Sequence, residues 1–273
     1  MKALVIGMGT GWNHATAYQE EGLDVIVCDT NPEKLAGCPW EQTTDYRTEI
    51  RNADIVSICT DDASHFLLAT EALNHGKYVV IEKPPCLSVD EMAHLKQFDD
   101  RIYCNLPLPF HFINLIDEFR DKEPYLIECD YNWGRFHKFS EGWRADGYDI
   151  VLGAGLHMFD LLLCFKPEGW DDGAALGANK SGINGPFDCV QSIMRNIDGT
   201  LGRVGLNCGF NGDHSHRLAV YCRDYHRVSI NTEKVDKTAG IRYFVQKITS
   251  GEEIKNDRLW SAMGLCFQLG EIA

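Results

Sequence analysis

The chain has 273 residues, 44% of them hydrophobic and 24% charged, which suffices for two domains with real cores and excludes a mainly disordered protein. Its 26 basic and 40 acidic residues give a net charge of −14, which argues against partners such as nucleic acid or an anionic membrane surface. No apolar run has the length of a membrane-spanning helix. The eleven cysteines include no Cys-x-x-Cys pair, so we expect a cytoplasmic protein with reduced thiols and without a metal site.

The first 105 residues alternate between short apolar segments and helical patterns. Helices are expected at 11–21, from Asn31 onward, at 63–75 and after Ser88, which Glu91 follows in a capping-box pattern. Five strands are expected between them, at residues 4–6, 24–29, 54–59, 78–81 and 102–104. Continuous apolar strands separated by helices predict an α/β domain with a doubly wound parallel sheet, which we place at residues 1–106.

The remaining residues, 107–273, show longer strands with alternating polarity. These strands are expected at 125–134, 172–180, 187–196, 200–209, 216–223 and 225–231. One helix interrupts them at 154–165, and two close the chain at 240–249 and 256–269. The pattern predicts an α+β domain with a large, mostly antiparallel sheet, and it leaves open whether the closing helices pack against the first domain.

A glycine-rich segment, Gly7-Met8-Gly9-Thr10-Gly11, separates the first strand from the first helix. Glycines in this position let the backbone approach the pyrophosphate of a dinucleotide at the helix N-terminus. Asp29 ends the second strand, where a carboxylate accepts hydrogen bonds from ribose hydroxyls and repels a 2′-phosphate, so NAD is favoured over NADP. The alternative is a glycine turn in some other α/β domain. The predicted cofactor contacts here are Gly7, Gly9, Thr10, Gly11, Trp12 and Asp29, with Trp12 in the place of the usual third glycine.

A second motif, Ile81-Glu82-Lys83-Pro84, follows the strand at 78–81. Ligands of parallel sheets bind at the carboxyl ends of the strands, so Lys83 is a candidate proton donor or acceptor beside a nicotinamide. A salt-bridged lysine at a strand end is the alternative.

With these motifs the chain resembles the Gfo/Idh/MocA oxidoreductases, the family of glucose–fructose oxidoreductase and inositol dehydrogenase. The resemblance extends over most of the sequence. The residues that carry it are Gly7, Gly9, His14, Asp29, Thr60, His65, Glu82-Lys83-Pro84, Asn105, Trp143-Arg144-x-Asp146 and Gly155-x-His157-x-x-Asp160.

The resemblance implies a Rossmann domain followed by a domain whose sheet commonly packs against another subunit, so a homodimer or homotetramer is expected. It also implies hydride transfer between NAD(P) and a sugar, cyclitol or nucleotide sugar. It assigns catalytic roles to Lys83 and His157. It adds Thr60, His65, Glu82 and Lys83 to the cofactor contacts and indicates as substrate contacts Asn105, Trp143, Arg144 and His157.

The sequence also departs from the family pattern. The aspartate usually found four residues before the histidine is Gly153, and Thr60 is followed by Asp61 and Asp62 instead of proline. These departures favour a second hypothesis, a non-catalytic NAD-binding sensor or regulator with the same fold. An unrelated α/β enzyme with a glycine loop is the third. His214-x-His216 is interpreted as a turn at a strand end, since no further metal ligand has a recognisable spacing.

Overall fold

A computed structural model describes residues 1–134, 136–140, 149–224, 226–231 and 235–272. The chain divides into two compact units. Unit 1 comprises Met1–Pro107 and Asp236–Asn256, and unit 2 comprises Leu108–Val235 and Asp257–Ala273. A segment from late in the sequence therefore belongs with the N-terminal unit.

Unit 1 contains a six-stranded parallel sheet. Its strands are β1 (Lys2–Ile6), β2 (Asp24–Cys28), β3 (Glu41–Thr43), β4 (Ile55–Ile58), β5 (Tyr78–Ile81) and β6 (Ile102–Cys104). They lie in the order β3-β2-β1-β4-β5-β6, so the strand order reverses between β1 and β4. This doubly wound topology confirms the predicted Rossmann architecture. The sequence did not indicate β3, because its three polar residues form an edge strand without a buried side chain.

The helices of unit 1 cover this sheet. They are α1 (Gly11–Glu20), α2 (Asp62–Asn74), α3 (Val89–Leu95) and α7 (Ala239–Ser250). The Ser88 hydroxyl accepts a hydrogen bond from the amide of Glu91, as the capping box predicts. The helix expected from Asn31 is only a 3₁₀ turn, Pro32–Lys34, because Gly37, with φ of +80°, and then Pro39 interrupt it.

Helix α7 belongs to unit 1 because of its apolar face. Ile241, Phe244 and Val245 are buried in the same core as Val5 and Ala15, on the side of the sheet that carries α1. Burial of such large side chains stabilises the packing of α7 by several kcal/mol, roughly 1.5–3 kcal/mol for each one.

Unit 2 contains a six-stranded mixed sheet. Its strands are β7 (Leu126–Asn132), β8 (Asp171–Ala178), β9 (Cys189–Arg195), β10 (Leu201–Asn207), β11 (Ser215–Tyr221) and β12 (His226–Asn231), in the order β12-β11-β7-β10-β9-β8. All pairs are antiparallel except β7 with β10, which is parallel. The predicted mostly antiparallel sheet is thus confirmed, with a parallel pair at its centre.

The helices of unit 2 are α4 (Leu108–His111), α5 (Ile113–Phe119), α6 (Leu156–Phe165) and α8 (Asp257–Ile272). All ten residues of α6 are buried. A π-helical turn, Val151–Gly155, precedes α6, so the regular helix begins two residues later than the predicted 154. On the inner face of the sheet, which contacts α6, the side chains of Val204 and Leu206 are fully buried.

Within the described ranges, no helix combines the length and the apolar character required to cross a lipid bilayer. The eleven cysteines are free thiols, and all but Cys189 are buried. They pack as small apolar side chains.

Candidate functional site

The residues predicted to bind the cofactor in unit 1 share one edge of the parallel sheet. Because all six strands run in the same direction, the segments that follow them meet at the carboxyl edge. These segments contain the glycine loop after β1, Asp29 after β2, Thr60 after β4, Glu82 and Lys83 after β5, and Asn105 after β6. The reversal of strand order between β1 and β4 is the point where such sheets bind ligands.

The three glycines of the loop have different roles. Gly7 has φ of +92°, and a Cβ on it would lie 2.7 Å from the carbonyl oxygen of Cys59. A Cβ on Gly11 would lie 2.9 Å from Cγ1 of Val5, so Gly11 provides the close helix–strand contact usually made by the third glycine. A Cβ on Gly9, in contrast, would meet no atom within 4 Å. Gly7 and Gly11 are therefore required by packing, whereas Gly9 keeps space open above the loop.

The N-terminus of α1 is suited to an anion. Thr10 occupies the N-cap position, but its side chain does not cap the helix, and no other described side chain does. The amino-terminal amides of a helix and its dipole attract negative charge. Trp12, in the first turn, is 45% exposed and packs edge to face against Trp40, with 5.0 Å between ring centroids. The open space at Gly9 and the uncapped helix end fit a pyrophosphate.

Asp29 ties the loop to the end of β2. Its Oδ2 accepts a hydrogen bond from the Met8 amide at 2.8 Å, and its Oδ1 accepts one from the Asn31 amide at 2.9 Å. Lys34, which the sequence reasoning did not include, places its Nζ 3.5 Å from Oδ2. A carboxylate has about four acceptor positions, so capacity remains for ribose hydroxyls. An open cavity lies next to this point, lined by Pro32, Leu35, Gln42, Thr43 and Thr44.

Glu82 is held by a buried polar network. Its Oε1 accepts hydrogen bonds from His14 Nε2 and from Asn105 Nδ2, both at 2.9 Å. Burial opposes ionisation of Glu82, but these hydrogen bonds and the charges of His14 and Lys83 outweigh it and lower the pKa of Glu82 to about 2. Glu82 is therefore a carboxylate at neutral pH, and the half-buried Lys83 follows it directly.

The network continues away from Glu82 into the core. His14 Nδ1 lies 2.9 Å from the Ser57 hydroxyl, which lies 2.7 Å from the hydroxyl of Tyr18. Burial raises the pKa of Tyr18 far above its usual value, so Tyr18 is a proton donor. The directions agree if Tyr18 donates to Ser57, Ser57 donates to Nδ1 of His14, and Nε2 of His14 donates to Glu82.

His65 connects the segments that follow β4 and β5. It is fully buried, with Nδ1 2.7 Å from the carbonyl oxygen of Pro84 and Nε2 3.3 Å from that of Thr60. Both ring nitrogens thus face the backbone. Asp61 and Asp62 begin α2, where acidic side chains favour the positive end of the helix dipole.

Asn105, a predicted substrate contact, supports Glu82 in the structure. Its Nδ2 also lies 3.1 Å from the carbonyl oxygen of Lys237. Its Oδ1 is buried and has no hydrogen-bond partner among the described residues.

In unit 2, His157 is the second residue of α6 and is 8% exposed. The two carboxylates closest to it in sequence have other partners. Asp149 accepts hydrogen bonds from the amides of Val151 and Leu152, and Asp160 accepts one from Nε of Arg258. Burial raises the pKa of both carboxyl groups.

Four rings form what we call the ring cluster, which consists of Tyr131, His157, His214 and His216. The rings of Tyr131 and His157 are nearly parallel, at 6° and 6.1 Å between centroids. His214 and His216 contact the Tyr131 ring edge to face at 5.2 and 4.8 Å, and each other at 4.8 Å. His214 directly precedes β11 and His216 is the second residue of that strand, opposite Tyr131 of β7, so the pair stands at a strand end as interpreted from the sequence.

The ring cluster contains three imidazoles and a phenol. Within the residues that the structure describes, no three His, Cys, Asp or Glu side chains are arranged to hold a metal ion. Burial, with smaller effects of His214 and His111, lowers the pKa of His216 to about 3, so His216 is neutral at physiological pH. Two further predicted substrate contacts, Trp143 and Arg144, lie outside the described residues.

Comparisons with known proteins agree with this picture. Residues 1–102 match the model of an oxidoreductase family with an NAD-binding Rossmann fold. The matching model is that of the Gfo/Idh/MocA family, so residues 1–102 are similar to the NAD-binding domain of that family, as the motifs predicted. No curated protein sequence matches the chain significantly.

Solved structures with the same fold extend over both units. UDP-N-acetylglucosamine 3-dehydrogenase GnnA from Acidithiobacillus ferrooxidans is 18% identical, with a TM-score of 0.83 over 100% of this chain and 97% of that one. Scyllo-inositol dehydrogenase from Lactobacillus casei, with bound NAD(H) and scyllo-inositol, is 16% identical, with a TM-score of 0.82 over 100% and 96%. GenD2 from gentamicin A biosynthesis, in complex with NAD, is 13% identical, with a TM-score of 0.86 over 100% and 94%. At these identities the likeness shows the fold.

Proposed function

We propose that this protein is an NAD-dependent dehydrogenase that transfers a hydride between the nicotinamide and a secondary hydroxyl of a sugar, cyclitol or nucleotide sugar. The observation that carries the proposal is the carboxyl edge of unit 1, where the open space at Gly9, the carboxylate of Asp29 and the Glu82–Lys83 pair lie together. The cyclitol and nucleotide-sugar dehydrogenases of the same fold support the substrate class.

The cofactor, when bound, supplies the hydride acceptor. The loop amides and the N-terminus of α1 would hold its pyrophosphate, and Asp29 would accept hydrogen bonds from the adenosine ribose. Because a 2′-phosphate placed beside Asp29 is repelled, NAD is the cofactor that we assign.

Two side chains are assigned to proton transfer. Oxidation of a secondary alcohol requires that the hydroxyl proton be removed as the hydride leaves. His157 is the base, since an imidazole suits that role at neutral pH. Lys83 is the cation that polarises the oxygen as it becomes a carbonyl, and the Glu82 carboxylate holds its charge.

The test has two stages. Titration calorimetry first establishes NAD binding, and absorbance at 340 nm then follows reduction of NAD with a panel of sugars, cyclitols and nucleotide sugars. Turnover of at least one member that is lost in Lys83→Ala is the expected result. Failure to bind NAD would contradict the proposal at its first step.

A second candidate function is a sensor that binds NAD without turnover. Gly153 favours it, because the aspartate that usually stands at this position can stabilise an imidazolium and a glycine cannot. NAD binding without reduction by any member of the panel would support this alternative.

A further inference from the structure

Asn105 directly follows β6 at the carboxyl edge of unit 1 and is only 2% exposed. Its Nδ2 donates two hydrogen bonds, one to Oε1 of Glu82 at 2.9 Å and one to the carbonyl oxygen of Lys237 at 3.1 Å. Both partners accept hydrogen bonds and cannot donate them, so the reversed amide, with Oδ1 facing them, would be repelled. These two contacts therefore fix the direction in which the Asn105 amide points.

The other end of the same amide is unfavourably placed. Oδ1 of Asn105 is buried and has no hydrogen-bond partner among the residues that the structure describes. An unpaired buried acceptor destabilises a folded protein, and an apolar side chain of similar size would avoid that penalty. What the asparagine provides, and such a side chain would not, is the pair of hydrogen bonds from Nδ2 to Glu82 and Lys237.

The carbonyl group of Lys237 belongs to a turn that precedes α7 and is held by an ion pair. Oδ2 of Asp236 accepts a hydrogen bond from Nη2 of Arg242 at 2.6 Å. The same guanidinium lies 3.3 Å from the carboxylate of Glu20, which belongs to α1. The late segment of the chain that returns to unit 1 thus holds a backbone acceptor against Asn105.

Gly240, in the first turn of α7, packs closely against this site. A Cβ at this position would lie 2.9 Å from Oδ1 of Asn105 and 2.7 Å from the hydroxyl oxygen of Tyr103. The Tyr103 ring itself stacks on Phe244 of α7, with 5.3 Å between ring centroids. Any residue larger than glycine at position 240 would therefore displace the amide of Asn105, the ring of Tyr103, or both.

We infer that Asn105 is a positioning residue, which orients the Glu82 carboxylate and through it Lys83, and that the first turn of α7 with Gly240 keeps Asn105 in place. Oε1 of Glu82 then has two donors, His14 from α1 and Asn105 from the end of β6. The inference rests on the proposed role of Lys83 in polarising the substrate oxygen. Its first step, the coupling of Asn105 to the Glu82 carboxylate, can be measured without turnover.

The bond to Asn105 also affects the charge of Glu82. Burial raises the pKa of this carboxyl group, but hydrogen bonds from His14 and Asn105 and the charges of His14 and Lys83 outweigh it and hold the pKa at about 2. The buried thiol of Cys59 is the other titratable group that interacts with the carboxylate. Without the Asn105 bond, the pKa of Glu82 in the folded protein moves back towards the ordinary 4.5. The carboxylate then adds less stability at neutral pH, and the difference from wild type disappears as the pH falls from 4.5 towards 2.

The decisive variant is Asn105→Leu, which keeps the approximate size of the side chain and removes both donated bonds. Asn256 offers a matched control, because it is 4% exposed and its Nδ2 donates to two backbone carbonyl groups, those of Asp99 and Ile102, at 2.8 Å each. Asn256→Leu thus removes two buried bonds in the same unit without involving a carboxylate. Urea denaturation as a function of pH, kcat and the NAD dissociation constant are measured for both variants. The denaturation series is repeated with Glu82→Gln added to each.

In Asn105→Leu, kcat falls on the order of tenfold with an unchanged NAD dissociation constant, because the carboxylate next to Lys83 is no longer fixed. The loss of stability in this variant shrinks below pH 4.5, and this pH dependence is absent when Glu82→Gln is present. Asn256→Leu also loses stability, but the loss does not depend on Glu82, and kcat stays close to that of wild type. A loss of stability in Asn105→Leu that is the same at every pH, or that is unaffected by Glu82→Gln, overturns the inference.

A second variant covers the case in which Asn105→Leu does not fold. Gly240→Ala places a methyl group against Oδ1 of Asn105 and should lower kcat and stability in the same Glu82-dependent way. Its control is Gly264→Ala in α8, where a Cβ would meet no atom within 4 Å. If the wild-type protein shows no turnover but stability responds as described, the dehydrogenase function fails while the coupling of Asn105 to Glu82 stands. If turnover is present and neither variant lowers kcat, the positioning role fails alone.

Discussion

His14 Nε2 donates a hydrogen bond to Glu82 Oε1 across 2.9 Å, which joins the first helix of the Rossmann unit to the residue before Lys83. Neither group is exposed: the His14 side chain is inaccessible to water and that of Glu82 is 16% exposed. The pair therefore couples the position of Lys83 to the core of unit 1.

The ionisation of Glu82 leads to a prediction about stability and pH. Its pKa falls from an ordinary value of 4.5 to about 2 on folding. The carboxylate therefore stabilises the folded state above pH 4.5, and this contribution disappears as the pH falls from 4.5 towards 2. We expect Glu82→Gln to lower the free energy of unfolding by about 1–3 kcal/mol at neutral pH and by progressively less below pH 4.5. Urea denaturation across this pH range measures the difference. Glu118→Gln, on an exposed helix face, is the control.

Substitution of two loop glycines should have different effects, one on the stability of the protein and the other on NAD binding. Gly7→Ala should destabilise the protein by roughly 2 kcal/mol or more, because its φ is positive and the Cβ would collide with the Cys59 carbonyl group. Gly9→Ala should leave the unfolding midpoint nearly unchanged and weaken NAD binding on the order of tenfold, because the new methyl group takes the open space above the loop. Thermal unfolding and calorimetric titration measure the two effects. If Gly9→Ala bound NAD as tightly as the wild-type protein, the pyrophosphate would not occupy the space above Gly9.

Cofactor preference should depend on both Asp29 and Lys34. Asp29→Ala is expected to narrow the difference in affinity between NAD and NADP, because it removes the charge that repels a 2′-phosphate. Lys34→Ala should widen the difference less than tenfold, since the lysine side chain is 54% exposed and its charge is well screened. Calorimetric titration with both cofactors is the measurement. Equal affinities of the wild-type protein for NAD and NADP would show that Asp29 does not discriminate between the two cofactors.

The two assigned proton-transfer residues should be essential for turnover but not for cofactor binding. Lys83→Ala and His157→Ala are each expected to reduce kcat by on the order of 10²–10⁴ and to leave the NAD dissociation constant nearly unchanged. Lys77→Ala is a matched control, because Lys77 precedes β5 at the end opposite Lys83 and donates to the Arg51 carbonyl group. Wild-type kcat in either test variant would exclude that residue from the chemistry.

We expect a homo-oligomer that uses the outer face of the unit 2 sheet. In β10, Val204 and Leu206 are buried on the inner face, and Leu201 is the apolar residue on the outer face. Leu176 and Ile193 share that face and are 81% and 45% exposed.

Light scattering coupled to gel filtration tests the oligomeric state. The double variant Leu176→Asp with Ile193→Asp should dissociate the assembly, because a buried, unpaired carboxylate is strongly unfavourable in an interface. Ile197→Asp, in the exposed turn between β9 and β10, should not. A wild-type monomer at micromolar concentration would contradict the expectation.

Much of unit 1 could be predicted from sequence because its signals are local. Strands β1, β2, β4 and β5 are continuous apolar segments, and the glycines and Asp29 stand directly at their ends. The edge strand β3 has no such signal, because it pairs only with β2 and its three residues are polar and not buried. The Lys34–Asp29 contact was missed because it depends on the shape of the 3₁₀ turn between them.

The sequence by itself determined the secondary structure of most of the chain and the type of loop at the first helix, because side-chain periodicity and backbone preferences act over a few residues. It also determined that Glu82 and Lys83 directly follow a strand of a parallel sheet. Only the tertiary structure decided which distant side chains meet. The parallel pairing of β7 with β10, the bond between His14 and Glu82, and the stacking of Tyr131 on His157 all join residues far apart in the chain. Alternation of polarity along a strand indicates which of its faces is buried. Which strand it pairs with depends on the packing of the whole core.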